Sequence, residues 1–198
     1  MTSGLILVWD LDQTLVGWYS DDAWSADDMK FRLNTRACAV LKEAYLAKKA
    51  GVVWTIMMLT NNSHPHEAVD AIEKESEAKF DYIIARNDPL RNKTNAAIKD
   101  IETISRVVGY DVDPNKVWII DDMPHKMVAE GAHWIQIAKQ ENNPFGSGFS
   151  EDPDQTDYSP LQNVINTYLR RRSGKRNTKK RNQKKYQSKN KNKNKNRA

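Results

Sequence analysis

Asp10-Leu11-Asp12-Gln13-Thr14 puts two carboxylates one residue apart, directly after the apolar run Leu5-Ile6-Leu7-Val8-Trp9. Phosphoryl transfer through a covalent intermediate needs a nucleophile, a group that gives and takes a proton, a cation, and donors for the phosphoryl oxygens. Asp10 can be the nucleophile. Where a strand runs out into a loop, Asp12 can lie on the same side, hand its proton to the leaving oxygen and then activate water. Magnesium takes hard oxygen ligands, usually one or two carboxylates with phosphate and water. Asp10 with Asp121 and Asp122 supplies such ligands. Without a cation these carboxylates repel one another and an incoming phosphate dianion.

These residues are far apart in the chain, so the fold must gather them. Residues 5–9 read as a buried strand of a parallel sheet. Residues 15–33 mix acidic and aromatic side chains and read as irregular. Asn34 can cap a helix to about residue 50, with Ala37, Val40, Leu41, Ala44 and Tyr45 on one face and Gly51 as the stop. Residues 52–59 form a second apolar run, closed by Thr60-Asn61-Asn62. Pro65 suits the first turn of a helix to about residue 79. Residues 80–84 are a third strand, and a helix is expected over about 94–108. Asp113-Pro114 turns the chain into a fourth strand that runs into Asp121-Asp122. Residues 134–137 are a fifth strand, and a last helix covers about 159–169. Strands alternating with helices predict βαβ units: an α/β fold with a parallel sheet layered between helices. Ligands bind such sheets at the carboxyl ends of the strands. Asp10, Thr60 and Asp121 all sit at such ends.

The string from Ile6 to Val16, ILVWDLDQTLV, resembles the first motif of the haloacid-dehalogenase (HAD) phosphatases, an apolar strand followed by DxDxT. Their second motif, a strand ending in Thr or Ser, is matched by MMLTNN at Thr60. The third, a lysine near a helix start, is matched by Lys99 or by Lys93. The fourth, an acidic pair after a strand, is matched by VWIIDD. All four occur in family order. Within the superfamily the chain is most similar to the NLI-interacting-factor-like phosphatases of the RNA polymerase II C-terminal domain. Their DLDxTLV is echoed by DLDQTLV, and their Lys-Asp-Leu helix by Lys99-Asp100-Ile101. Their second motif reads Thr-Ala-Ser where this chain has Thr60-Asn61-Asn62.

The resemblance implies a three-layer Rossmann-like core. It implies Asp10 as nucleophile and metal ligand, and Asp12 as acid/base and as a ligand through its backbone carbonyl. Thr60, with Asn61 beside it, would contact the phosphoryl group, and the lysine would neutralise that group and Asp10. Asp121 and Asp122 would hold Mg2+, with Asp122 the direct ligand. Lys99 is the better match to the subfamily, whereas Lys93 stands nearer the expected helix start. The intervals from Asp12 to Thr60 and from Asn62 to Lys99 leave no room for a large cap domain. Trp18, Trp24 and Phe31 either line a substrate rim or pack a short flap.

Composition divides the chain. Residues 170–198 carry 15 of the 31 Lys and Arg and none of the 26 Asp and Glu, so residues 1–169 hold 16 basic against 26 acidic groups. The first segment is expected to be the phosphatase domain. The second, with its Lys-Asn repeats, is expected to be a disordered tail. Such a tail fits non-specific binding of RNA, DNA or another polyanion through phosphate contacts, or a nuclear localisation signal. Cys38 is the single cysteine, so no intrachain disulfide forms. No apolar run is long enough to cross a bilayer and no signal peptide is evident, so an intracellular location, cytoplasmic or nuclear, is expected. His64 and His66 read as surface loop residues, and His125 and His133 as structural. The leading expectation is a Mg2+-dependent phosphomonoester hydrolase acting on a phosphorylated macromolecule, a Ser/Thr phosphoprotein before a nucleic acid. A nucleic-acid 3′-end phosphatase and a non-catalytic RNA- or partner-binding scaffold are the alternatives.

Overall fold

The structure, a computed structural model, describes residues 4–20, 29–91, 99–122, 130–137 and 155–170. Lys93, Trp24, His125 and the 171–198 segment lie outside them, as do the side chains of Trp18 and of the other residues at the tip of the hairpin described below.

Five strands form one parallel sheet in the order β5-β4-β1-β6-β7. They are β1 (Leu5–Trp9), β4 (Val53–Leu59), β5 (Tyr82–Ile84), β6 (Val117–Asp121) and β7 (His133–Gln136). All five residues of β1 are buried, as expected for a central strand covered on both faces. Alternate residues of a strand point to opposite faces, and β1 feeds two cores accordingly. Leu5, Leu7 and Trp9 join the core containing α1 (Thr35–Lys49), α2 (His66–Ser76) and the helix over residues 159–170, here α4. Ile6 and Val8 join the core containing Ile104 and Val107 of α3 (Ile101–Val108). The result is a sheet between two helical layers. The chain moves outward from β1 through β4 to β5 and then returns to the other side for β6 and β7. The strand order therefore reverses at β1, which opens a crevice at its carboxyl end.

Two expectations are corrected. Residues 15–33 are not irregular throughout: β2 (Val16–Ser20) and β3 (Met29–Leu33) pair antiparallel, with Val16 opposite Leu33. Cross-strand pairing, which has no local signature in a stretch interrupted by Gly17 and a run of acidic residues, builds this hairpin. Phe31 and Leu33 pack against the main core, so Phe31 serves the flap. Helix α3 begins at Ile101, because the Asp100 side chain accepts from the Thr103 amide and caps it there. Lys99 therefore stands just before the helix. The N-cap role of Asn34 is observed: its Oδ1 accepts from the Ala37 amide at 3.0 Å. No helix among the described residues is long and apolar enough to cross a membrane.

Candidate active site

The loop after β1 is tightly wound. Leu11 O accepts from the amides of Thr14, Leu15 and Val16, and Gln13 takes a left-handed φ of 60° to permit it. This turn sets Asp10 at the end of the strand, fixed by its amide donating to Ile120 O at 2.9 Å, and projects Asp12 sideways. The loop is also tied to α1. Asn34 Nδ2 donates to Thr14 O at 3.0 Å and the Asn34 amide to Leu15 O at 2.9 Å.

On the β6 side, Lys99 Nζ donates to Asp10 Oδ1 at 2.7 Å and to Asp121 Oδ2. All three side chains are buried. Burial opposes the ammonium, but the two carboxylates more than offset it and hold the Lys99 pKa above its ordinary value. Burial pushes Asp10 up to about 7; Lys99 opposes the rise, while Asp121 and Asp12 add to it. Asp10, Asp121 and Asp122 each offer an oxygen within 4.8 Å of the others, the single group among the described residues able to hold a metal. Neither His64 nor His66 belongs to such a group.

On the β4 side, Thr60 is fully buried. Its hydroxyl donates to Asp12 Oδ2 at 3.4 Å and accepts from the Asn62 amide at 3.0 Å. Asn62 Nδ2 donates to Asp12 Oδ1 at 3.2 Å, while its Oδ1 accepts from the His64 amide at 2.8 Å. Arg91, 3% exposed, donates through its guanidinium to Thr60 O. Burial lowers the Arg91 pKa, and Asp10, Asp100 and Asp88 work against that shift.

The fold thus brings together Asp10, Asp12, Thr60, Lys99, Asp121 and Asp122. Asn61 and Asn62 are both half-exposed, and it is Asn62 that reaches Asp12. Sequence reasoning passed over Asn62, Arg91 and the second role of Asn34. Asn62 had a usable signal, its place two residues after Thr60. Arg91 had none. His133 stacks on Trp118 at 4.4 Å between ring centroids, and its Nε2 lies 3.2 Å from Asn115 O, a structural setting.

The donor set fits a divalent cation. Four carboxylates face two basic side chains, and Lys99 engages one oxygen of Asp10 and one of Asp121. All the donors are hard oxygens, the type that magnesium prefers. A parallel sheet that delivers these groups from β1, β4 and β6 to one crevice is the framework of a HAD-type phosphatase, a hydrolase. Residues 5–172 match the NLI interacting factor-like phosphatases, and the chain belongs to that family. No curated protein sequence matches it. Among solved structures it is similar to a chain in the "Structure of the Pnkp1/Rnl/Hen1 RNA repair complex", at 18% identity and a TM-score of 0.42, over 69% of this chain and 43% of that one. The present chain thus spans less than half of that relative's length.

Proposed function

We propose that this phosphatase hydrolyses phosphomonoesters through a phospho-Asp10 intermediate, depends on Mg2+, and acts on phosphorylated Ser or Thr in proteins. The observation that carries the reading is the buried contact of Lys99 with Asp10 and Asp121, facing Asp12 held by Thr60 and Asn62. Asp10 attacks phosphorus as the bond to the leaving oxygen breaks, and Asp12 gives that oxygen a proton. Asp12 then takes a proton from water, which attacks the phosphorus of phospho-Asp10; phosphate leaves and the Asp10 carboxylate returns. Lys99 offsets the charge that gathers beside Asp10, and the Thr60 hydroxyl would turn its proton from Asp12 to a phosphoryl oxygen. Asp10, Asp121 and Asp122 would hold the cation, which when bound neutralises phosphoryl charge.

Phosphoproteins are what NLI-interacting-factor-like phosphatases generally act on. Among the described residues only a hairpin, not a cap domain, separates Asp12 from α1, which suits a macromolecular substrate. The basic 170–198 segment favours a second reading, removal of a nucleic-acid end phosphate with the segment holding the polymer. Phosphatase assays on an aryl phosphate, with Mg2+ and with chelator, test the cation. Mass spectrometry of acid-quenched enzyme tests the intermediate: a phosphoryl adduct is expected on Asp10 and on no other residue. Comparing a phosphoserine peptide with a 3′-phosphorylated oligonucleotide decides the substrate; faster turnover of the oligonucleotide would overturn the first choice.

A further inference from the structure

The edge of the sheet opposite Asp10 carries a second built feature. A cavity of about 410 Å³ opens among Gly4, Trp54, Tyr110, Asp111, Asp113 and Lys116. These residues lie at the amino ends of β1, β4 and β6, whereas Asp10, Thr60 and Asp121 lie at the carboxyl ends. A strand of five residues separates the two edges by roughly 17 Å. Trp54 and Tyr110 meet edge-to-face at 6.5 Å between centroids, yet remain 42% and 41% exposed. Gly4 makes room for this arrangement: a Cβ there would collide with the Trp54 ring. Exposed aromatic faces flanked by carboxylates recognise a cationic side chain, the rings through their quadrupoles and the carboxylates directly.

The chain itself supplies such cations after α4, which packs on the opposite face of the sheet and meets the cavity lining at Lys116. Lys116 Nζ donates to Tyr168 Oη at 3.2 Å and lies over the Tyr168 ring at 6.0 Å. Tyr168 is two residues before Arg170, where the described chain ends. Arg171, Arg172, Lys175 and Arg176 follow at once, and the six residues 171–176 reach at most about 20 Å when extended. The charges are complementary, since the 171–198 segment has no acidic residue and the preceding body has a large acidic excess.

We propose that this cavity docks the chain's own basic segment, residues 171–198, with a Lys or Arg side chain against Trp54, Tyr110 and Asp111. The proposal is independent of the phosphatase reading. Covalent linkage makes the effective concentration millimolar, so modest attraction suffices. Docked in this way, the segment is withheld from polyanions, which must compete with the cavity for it.

Zero-length carbodiimide coupling of the full chain at low salt, followed by peptide mass spectrometry, tests this. Coupling of Asp111 to Lys175, Lys179 or Lys180 is expected, with a yield independent of protein concentration. Trp54→Ala and Gly4→Ala should each lower that yield by about two- to fivefold, the worth of an exposed cation–π contact. Thermal melting confirms that each variant folds, and Tyr110→Ala serves where one does not. Three results would overturn the proposal. One is equal coupling of the segment to remote carboxylates such as Glu67 on α2. Another is coupling indifferent to both cavity variants. The third is mixed-isotope products from a mixture of labelled and unlabelled protein, which would assign the segment to a second copy.

Discussion

Lys99 Nζ lies 2.7 Å from Asp10 Oδ1, across 89 positions of sequence, and the same ammonium contacts Asp121. One buried cation thus links the loop after β1 to the end of β6. Removing it leaves two buried carboxylates facing each other, a change that typically costs about 3–5 kcal/mol. Lys99→Met is therefore expected to lower the melting temperature and to abolish aryl phosphate turnover. Differential scanning fluorimetry and initial rates check the two effects, and an active Lys99→Met enzyme would refute the role given to the ammonium.

Asp10 sits at about 7 in the fold against 3.8 ordinarily, chiefly through burial. Folding therefore favours its neutral form. That contribution to stability is full below pH 3.8 and is lost as pH rises through about 7. Asp10→Asn abolishes this titration as well as the nucleophile. In chelator, the Asn variant should gain stability relative to the native chain between about pH 4 and pH 7. Urea unfolding at several pH values measures the gap; a gap constant with pH is the contrary result.

Asn62 and Asn61 are expected to separate kinetically. Asn62 steadies Asp12, so Asn62→Ala should cut kcat by roughly 10- to 100-fold, the effect of a small misplacement of a reacting group. Asn61 is half-exposed beside Thr60, so Asn61→Ala should act mainly on KM. Steady-state kinetics with the preferred substrate decides, and the reverse pattern would exchange the two roles.

Asn34 caps α1 and holds two carbonyls of the loop that carries Asp12. Asn34→Ala is expected to cost about 1–2 kcal/mol and to slow turnover. Asn34→Asp keeps the cap acceptor but loses the amide donor to Thr14 O. It should regain most of the stability while turnover stays low, which chemical denaturation and rate measurements on both variants test.

Cys38 is buried on α1, and burial, aided by Glu75, pushes its thiol up to about 12. Folding favours the protonated thiol, so this stabilisation is present below pH 9.0 and fades as pH rises toward 12. Native protein at pH 8 should resist iodoacetamide, and protein in urea should react within the same interval. Rapid labelling of the native chain would contradict the burial.

The motif after β1 was legible because it is local. An apolar run, two aspartates and a turn carry their meaning within a dozen residues, and Thr60 and Asp121-Asp122 repeat the pattern of strand followed by functional side chain. The Asn34 cap was legible for the same reason. The hairpin of β2 and β3 was not, because strand pairing is a relation between segments. Nor was the start of α3, which the Asp100 side chain sets by accepting from the Thr103 amide. Arg91 offered no local signal, since its partner is the carbonyl of a residue 31 positions away.

The α/β class, the family motifs and the division into acidic body and basic segment could be read from residue order, because periodicity, motif spacing and charge are written there. How those motifs meet is a property of the folded chain. The fold acts on three points. It placed Lys99 against both Asp10 and Asp121, gave Asn62 to Asp12, and brought Tyr168 of α4 to Lys116. Each of these depends on strand order and on the direction in which a side chain leaves its element. A linear sequence does not state such quantities; packing two helical layers onto one sheet fixes them.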